Sequence, residues 1–155
     1  VIERIMESVH GEPKVFFLQG AGGTGKTFVE KHLLAKVRLK GKIALAVASS
    51  GIAALLPQGN RTAHRRFKIP LKVNAETTLS ISTQFDLAGL LRGTALIIWD
   101  EAPMQQRYRA EAVSRCLKEL RDDARKFGEI TVRSHNRVRG RLGTDLAGRP
   151  ARKCC

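Results

Sequence analysis

Acidic residues are missing from a long stretch of this chain. Between Lys31 and Ala75 there are ten Lys and Arg and no Asp or Glu. The whole chain is short of carboxylates too, with 14 against 28 basic residues and a formal net charge of +14. A balance so positive points to a polyanionic partner. Cysteine is scarce: only Cys116, Cys154 and Cys155 are present. The count is odd and no pair has zinc-ligand spacing, which excludes a disulfide framework and leads us to expect a reducing, intracellular compartment. Aromatics make up 5% of residues, so any core is built from aliphatic side chains. No long apolar run is present. The longest uncharged one, Ile43–Leu56, is interrupted by Ser49, Ser50 and Gly51 and is too short to cross a bilayer, so no membrane partner is expected. An N-terminal targeting pattern is also missing, and Val1 in place of an initiator methionine suggests a chain cut or processed at its start.

What is present is an alternation of strand and helix patterns. Ile2, Ile5, Met6 and Val9 share one face of a short helix. "VFFLQ" (15–19), "KIALAVA" (42–48) and "ALIIW" (95–99) read as three buried strands. Between them lie a helix from Thr27 to about Leu39, a short helix over 50–56 with Ser49 or Ser50 as N-cap, and another over 84–91. Residues 57–83 read mostly as loop. After Pro103, the spacing of Val113, Leu117, Leu120, Ala124 and Phe127 predicts an amphipathic helix with Arg115, Lys118, Glu119, Arg121 and Asp122 outward. The alternation implies an α/β fold with a parallel sheet and right-handed crossovers. From about Gly128 the periodicity stops. We therefore expect a domain over residues 1–128 and a disordered or out-of-frame basic tail over 129–155.

Residues 20–27 read GAGGTGKT, which fits G-x-x-x-x-G-K-[ST]. Gly20, Gly22, Gly23, Thr24 and Gly25 make a loop whose backbone N–H groups can turn toward one anion. Lys26 would reach the β- and γ-phosphates, and the Thr27 hydroxyl would ligate Mg²⁺. The loop follows an apolar strand and opens a helix, as that chemistry requires. The paired acids Asp100 and Glu101 end the third strand. In nucleotide hydrolases the first such acid holds Mg²⁺ and the next orients the attacking water, so Asp100 becomes a metal ligand and Glu101 a general base. No guanine-reading N-K-x-D pattern is visible, which favours ATP.

The acid-free segment contains "AVASSGIAALL" and "GNRTAHRRFKIP". Ser49, Ser50, Gly51 and the helix turn after them offer hydroxyl and N–H donors to phosphate. Arg65, Arg66 and Lys68 add charge, His64 is either a DNA contact or a hydrogen-bonded structural histidine, and Phe67 is either a stacking face for a base or a core residue. Lys36, Arg38 and Lys40 read as a solvated helix face.

Taken in order, "FFLQGAGGTGKT", "KIALAVASSGIAALL", "RTAHRRFKIP" and "LIIWDEAPM" resemble the petite-integration-frequency family of DNA helicases, most closely the helicase-like proteins of Helitron transposons. The resemblance spans about residues 1–128. It implies a RecA-like, P-loop NTPase motor of helicase superfamily one that uses ATP and Mg²⁺ to move 5′ to 3′ on single-stranded DNA. It also implies roles in repair, recombination and telomere maintenance, and residence in the nucleus, with mitochondria also used by the family. By position, Gly22–Thr27 match the nucleotide loop, Asp100 and Glu101 the catalytic acids, and Ser49–Ala53 and Thr62–Phe67 segments that contact DNA. Ala21 stands where relatives usually carry proline, and Arg65 where serine is usual. The family's adenine-reading glutamine, its sensor motif after the amphipathic helix, and its second motor domain with an arginine finger find no match here. We therefore expect an N-terminal motor fragment with weak Mg-ATP binding, little hydrolysis and no unwinding. A stand-alone ATP-binding module and a transposon-derived nucleic-acid binder with a vestigial loop are the other classes compatible with these residues.

Overall fold

The structure, a computed structural model, describes residues 1–20, 23–50, 61–81, 86–102 and 107–137, with the side chains of 135–137 excepted. In chain order the elements are α1 (Ile2–His10), β1 (Val15–Gly20), α2 (Lys26–Leu39), β2 (Ile43–Ala48), β3 (Arg61–Thr62), α3 (Ala63–Phe67), α4 (Asp86–Arg92), β4 (Thr94–Asp100), α5 (Arg107–Arg121), a 3₁₀ turn (Lys126–Gly128) and β5 (Thr131–Arg137). The strands form one sheet in the order β1-β5-β4-β2-β3. Every pairing is parallel.

A parallel sheet needs cover on both faces, and the strand sequences meet that need. In β4 the residues Leu96, Ile97, Ile98 and Trp99 are all buried. Leu96 and Ile98, with Ala44 and Ala46 of β2, pack against Ile5 and Val9 of α1 and Leu33 and Val37 of α2. Ile97 and Trp99, with Leu45 and Val47, pack against Phe67, Leu91, Val113 and Leu117 on the other side. Strand alternation thus divides one apolar run between two cores. Phe67 is 1% exposed and its ring centroid lies 5.7 Å from that of Trp99. Of its two expected roles, the core role is the one it fills.

Two expectations are corrected. The sheet has five strands among the described residues, where three were expected, and the ordered chain runs past Gly128. β5 falls in the stretch read as disordered, yet it is central, pairing Val15 with Val132 on one side and Ile97 with Val132 on the other. Its sequence hid it. TVRSHNR carries a single aliphatic residue, whereas a central parallel strand is normally aliphatic throughout. The amphipathic helix ends at Arg121, so Phe127 reaches the core from the 3₁₀ turn and not from the helix. The helix expected over 50–56 lies, from Gly51 on, outside the described residues, as do residues 138–155.

The polar character of β5 has a specific compensation. Arg133 is fully buried, and its Nη1 donates to Glu30 Oε1 of α2 at 2.6 Å. Burial lowers its pKa, while Glu30 and, further off, Asp100 hold it charged. Arg133 Nε and Nη2 find no acceptor among the described residues. A buried pair of this kind is sensitive to loss of one partner and tolerant of losing both. Arg133→Met alone should cost about 3–5 kcal/mol, seen as a lower urea midpoint, whereas Glu30→Leu with Arg133→Met should be neutral or stabilising. Equal loss in both variants would contradict this account.

Cys116 faces the α5 core and is buried. Burial first, and Glu119 second, push its thiol up to about 11. The thiolate is the reactive form, so at pH 8 alkylation of Cys116 in the folded chain should run at least about tenfold slower than in urea. Mass spectrometry of timed iodoacetamide labelling would measure it, and fast native labelling would show that the thiol is not held in the core.

Candidate nucleotide and nucleic-acid site

All strands run in one direction, so β1, β4 and β2 deliver their carboxyl ends to one rim of the sheet. Each expected motif sits at such an end. β1 closes on Gly20, β2 leads into Ser49, and β4 closes on Asp100.

The glycine loop turns directly into α2. Gly23 and Gly25 both have φ of 78°, in the left-handed region that side-chain-bearing residues rarely adopt. Gly25 is the N-cap and provides no side-chain cap, and the first turn holds no acid. The leading N–H groups and the positive dipole end of α2 are therefore not screened by a carboxylate of their own helix. Lys26 is buried, and its Nζ donates to the Gly20 carbonyl at 2.7 Å, with Thr24 Oγ1 at 3.5 Å. A Cβ on Gly20 would lie 2.8 Å from Thr24 Oγ1 and 3.7 Å from Lys26 Nζ, inside the cradle itself. Thr27 is exposed on the first turn. Gly22 lies outside the described residues.

At the end of β4, Glu101 has φ of 54°. This single left-handed residue turns the chain where β4 ends at Asp100. Both acids are half-buried, and Ala102 behind them is buried. The turn is tied to the neighbouring strand by Ser49. Its backbone N–H donates to the Asp100 carbonyl at 3.1 Å, and its hydroxyl lies 3.1 Å from that oxygen and 2.8 Å from the Glu101 carbonyl. Ser49 thus links the segment expected to meet DNA to the acids expected to serve the nucleotide, a role that sequence reading missed. The signal was its position one residue past β2, beside the end of β4.

The donor set suits a magnesium nucleotide. Among the described residues no cluster of three His, Cys, Asp or Glu forms a protein-only metal cage. Mg²⁺ is normally held by one or two carboxylates, substrate phosphates and water, which is what a Thr27 hydroxyl and an Asp100 carboxylate at one rim can complete. Gly20, which a Cβ would block, and Lys26 fit a phosphate.

The basic segment forms a second feature. Thr62 caps α3 by accepting from the Arg65 backbone N–H at 3.3 Å. His64 and Arg66 are half-buried, while Ser50, Arg65 and Lys68 are exposed. Burial, then Arg109, lowers the His64 pKa; burial, then Arg61, lowers that of Arg66. Lys36 and Arg38 of α2 and its C-cap Lys40 are exposed, but Arg38 Nη2 donates to the Ala44 carbonyl at 3.1 Å and Lys40 Nζ lies 3.1 Å from His10 Nε2, so only Lys36 matches a purely solvated face. Gly51 lies outside the described residues.

Lys26→Ala removes the cation from the cradle with little expected loss of fold, about 1 kcal/mol for its hydrogen bond. The variant should lose the thermal stabilisation by Mg-ATP, which for the parent chain amounts to about 2.7 kcal/mol at a hundred times Kd. Thermal shift with and without nucleotide reads both terms. A shift of equal size in the variant would remove Lys26 from the site.

A family model, PIF1-like helicase, matches residues 1–133. The ATP-dependent DNA helicase Pif1 of Psychrobacter sp. (strain PRwf-1) is 31% identical over 121 residues, covering 77% of this chain and 18% of that protein. A crystal structure of Bacteroides Pif1 bound to ssDNA is 29% identical, with a TM-score of 0.72, covering 87% of this chain and 30% of that one. Pif1 helicase from Bacteroides in complex with ADP-AlF3 and ssDNA gives 28% identity and a TM-score of 0.72, covering 87% of this chain and 31% of that one. The chain thus spans under a third of these solved relatives and under a fifth of the curated one. The five-stranded parallel sheet is the RecA-like domain of these helicases. With its glycine loop, acid pair and family match in register along one chain, the protein belongs to the PIF1-like helicase family.

Proposed function

We propose that this chain is part of the motor of an ATP-dependent DNA helicase of superfamily one, moving 5′ to 3′ on single-stranded DNA. The observation that carries this reading is the placement of the Lys26 cradle and the Asp100–Glu101 turn on one rim, with Ser49 bridging that turn to the basic segment. In this reading the α2 N-terminus and Lys26 bind the phosphates, and Thr27 and Asp100 hold Mg²⁺. When bound, the metal supplies charge neutralisation at the phosphate oxygens. Glu101 accepts the proton of the attacking water at its carboxylate. The names of the matched relatives support ATP, DNA and single-strand binding for those proteins. Repair, recombination, telomere maintenance, a nuclear or mitochondrial location and a Helitron origin belong to the same proposal.

The chain alone should work poorly. It spans about a third of the matched helicase chains, and in this reading the far wall of the ATP cleft is contributed from outside it. For the purified chain we expect oligo-dT binding with a steep salt dependence, weak Mg-ATP binding and near-background turnover. Fluorescence anisotropy and a phosphate-release assay provide the test. Robust DNA-stimulated hydrolysis would overturn the incompleteness of the motor, and absence of oligo-dT binding at low salt would overturn the DNA reading.

A further inference from the structure

We propose that Arg109 of α5 contacts a backbone phosphate beside His64 of α3, carrying the single strand from α3 onto α5. The inference rests on the DNA reading above and extends it to a helix that no DNA-contacting motif of the sequence includes.

The residues are held together by contacts across the chain. Arg109 lies in the first turn of α5, just past the rim formed by β4. Its Nη2 donates to the Leu71 carbonyl at 3.3 Å, so the loop leaving α3 fixes one arm of the guanidinium. Its Nε is buried and has no acceptor among the described residues. Arg66 Nε and His64 Nε2 share that condition. Three nitrogens of α3 and α5 are thus removed from water without a partner among the described residues. Leaving such groups unsatisfied is costly, and more so where charge is involved.

The charges in this region oppose one another. Arg109 disfavours the protonated form of His64, and Arg61 disfavours that of Arg66. None of Arg61, Arg65, Arg66 and Arg109 forms a salt bridge among the described residues. Around α3 the sequence supplies no acid either: residues 31–75 contain no Asp or Glu, and Glu111, two residues from Arg109, is paired with Arg107. Arg107 provides the contrast within one turn of helix. It pairs with Glu111 at 3.3 Å and lies 5.2 Å from the Tyr108 ring. Arg107 is matched by its own protein, whereas Arg109 faces further cations. A phosphodiester oxygen would accept from Arg109 and relieve the like-charge repulsion, and the planar guanidinium fork suits it.

The test uses the 155-residue chain and fluorescent oligo-dT and oligo-dA, titrated across salt. Arg109→Gln should weaken both oligonucleotides alike and lower the slope of log K against log salt by about 0.7, one single-strand phosphate contact. Arg107→Gln should leave the slope unchanged. Arg109→Lys keeps the charge and loses the fork, so it should keep the slope while weakening binding; it also serves if Arg109→Gln does not fold. Inorganic phosphate separates a strand site from a free-anion site. Thermal protection by phosphate that is smaller in Arg109→Gln than in the parent, with an unchanged oligonucleotide slope in that variant, overturns the strand contact in favour of a free-anion site. An unchanged slope in Arg109→Gln, with the parent still binding, overturns this proposal and leaves the DNA reading standing. Failure of the parent to bind either oligonucleotide overturns both.

Discussion

The fold depends on β5 lying between β1 and β4. β1 carries the glycine loop and β4 carries the acids, and the two strands are not hydrogen-bonded to each other. β5 supplies both of their inner ladders and so sets the distance from cradle to carboxylates. A strand in that place must be dry on both faces. This one brings a guanidinium into the helix-facing core, and Glu30, one turn past Lys26 on the same helix, is what makes that burial tolerable. The helix that opens on Lys26 is therefore also the anchor of the central strand. Ser8 adds a smaller tie, its hydroxyl 3.1 Å from that of Thr131.

How much of this was legible in the sequence depended on whether the signal was local. GAGGTGKT could be read because its backbone demands leave glycines at fixed places, and Gly23 and Gly25 take up the left-handed conformations that explain them. The run from Leu96 to Trp99 could be read because both of its faces are buried. The strand Thr131–Arg137 could not, because the residue that makes it tolerable lies far away in α2. Likewise Phe127 continued the helical spacing of Val113 and Leu117 by coincidence. The helix stops at Arg121, Asp122 takes a φ of 52°, and the ring returns to the same core from a separate turn.

Ser49 shows a different limit. Its residue type and place fitted a phosphate contact, and nothing in a one-dimensional reading could show its hydroxyl beside the carbonyls of Asp100 and Glu101. The finding leaves the segment on the rim proposed to meet DNA. It means that a displacement of this segment would be felt at the turn bearing the acids, through bonds of ordinary length and no intermediate side chain. The sharp left-handed turn at Glu101 is the feature that needs this support, since a residue with a Cβ gains nothing from that conformation by itself.

The strand order also has a consequence for how the chain assembles. β2 and β4 are separated by residues 49–93, and β4 and β5 by residues 101–130, so these inner pairings close over comparatively short stretches of chain. β1, at the sheet edge, is hydrogen-bonded only to β5, whose residues come almost at the end of the described chain. Closing that loop carries the largest entropic cost of any pairing in the sheet. During synthesis, β1 and the glycine loop attached to it wait for β5 to emerge. The part of the sequence most easily recognised at a glance thus depends on the strand that comes last, and under the proposed function nucleotide binding would report on completed folding.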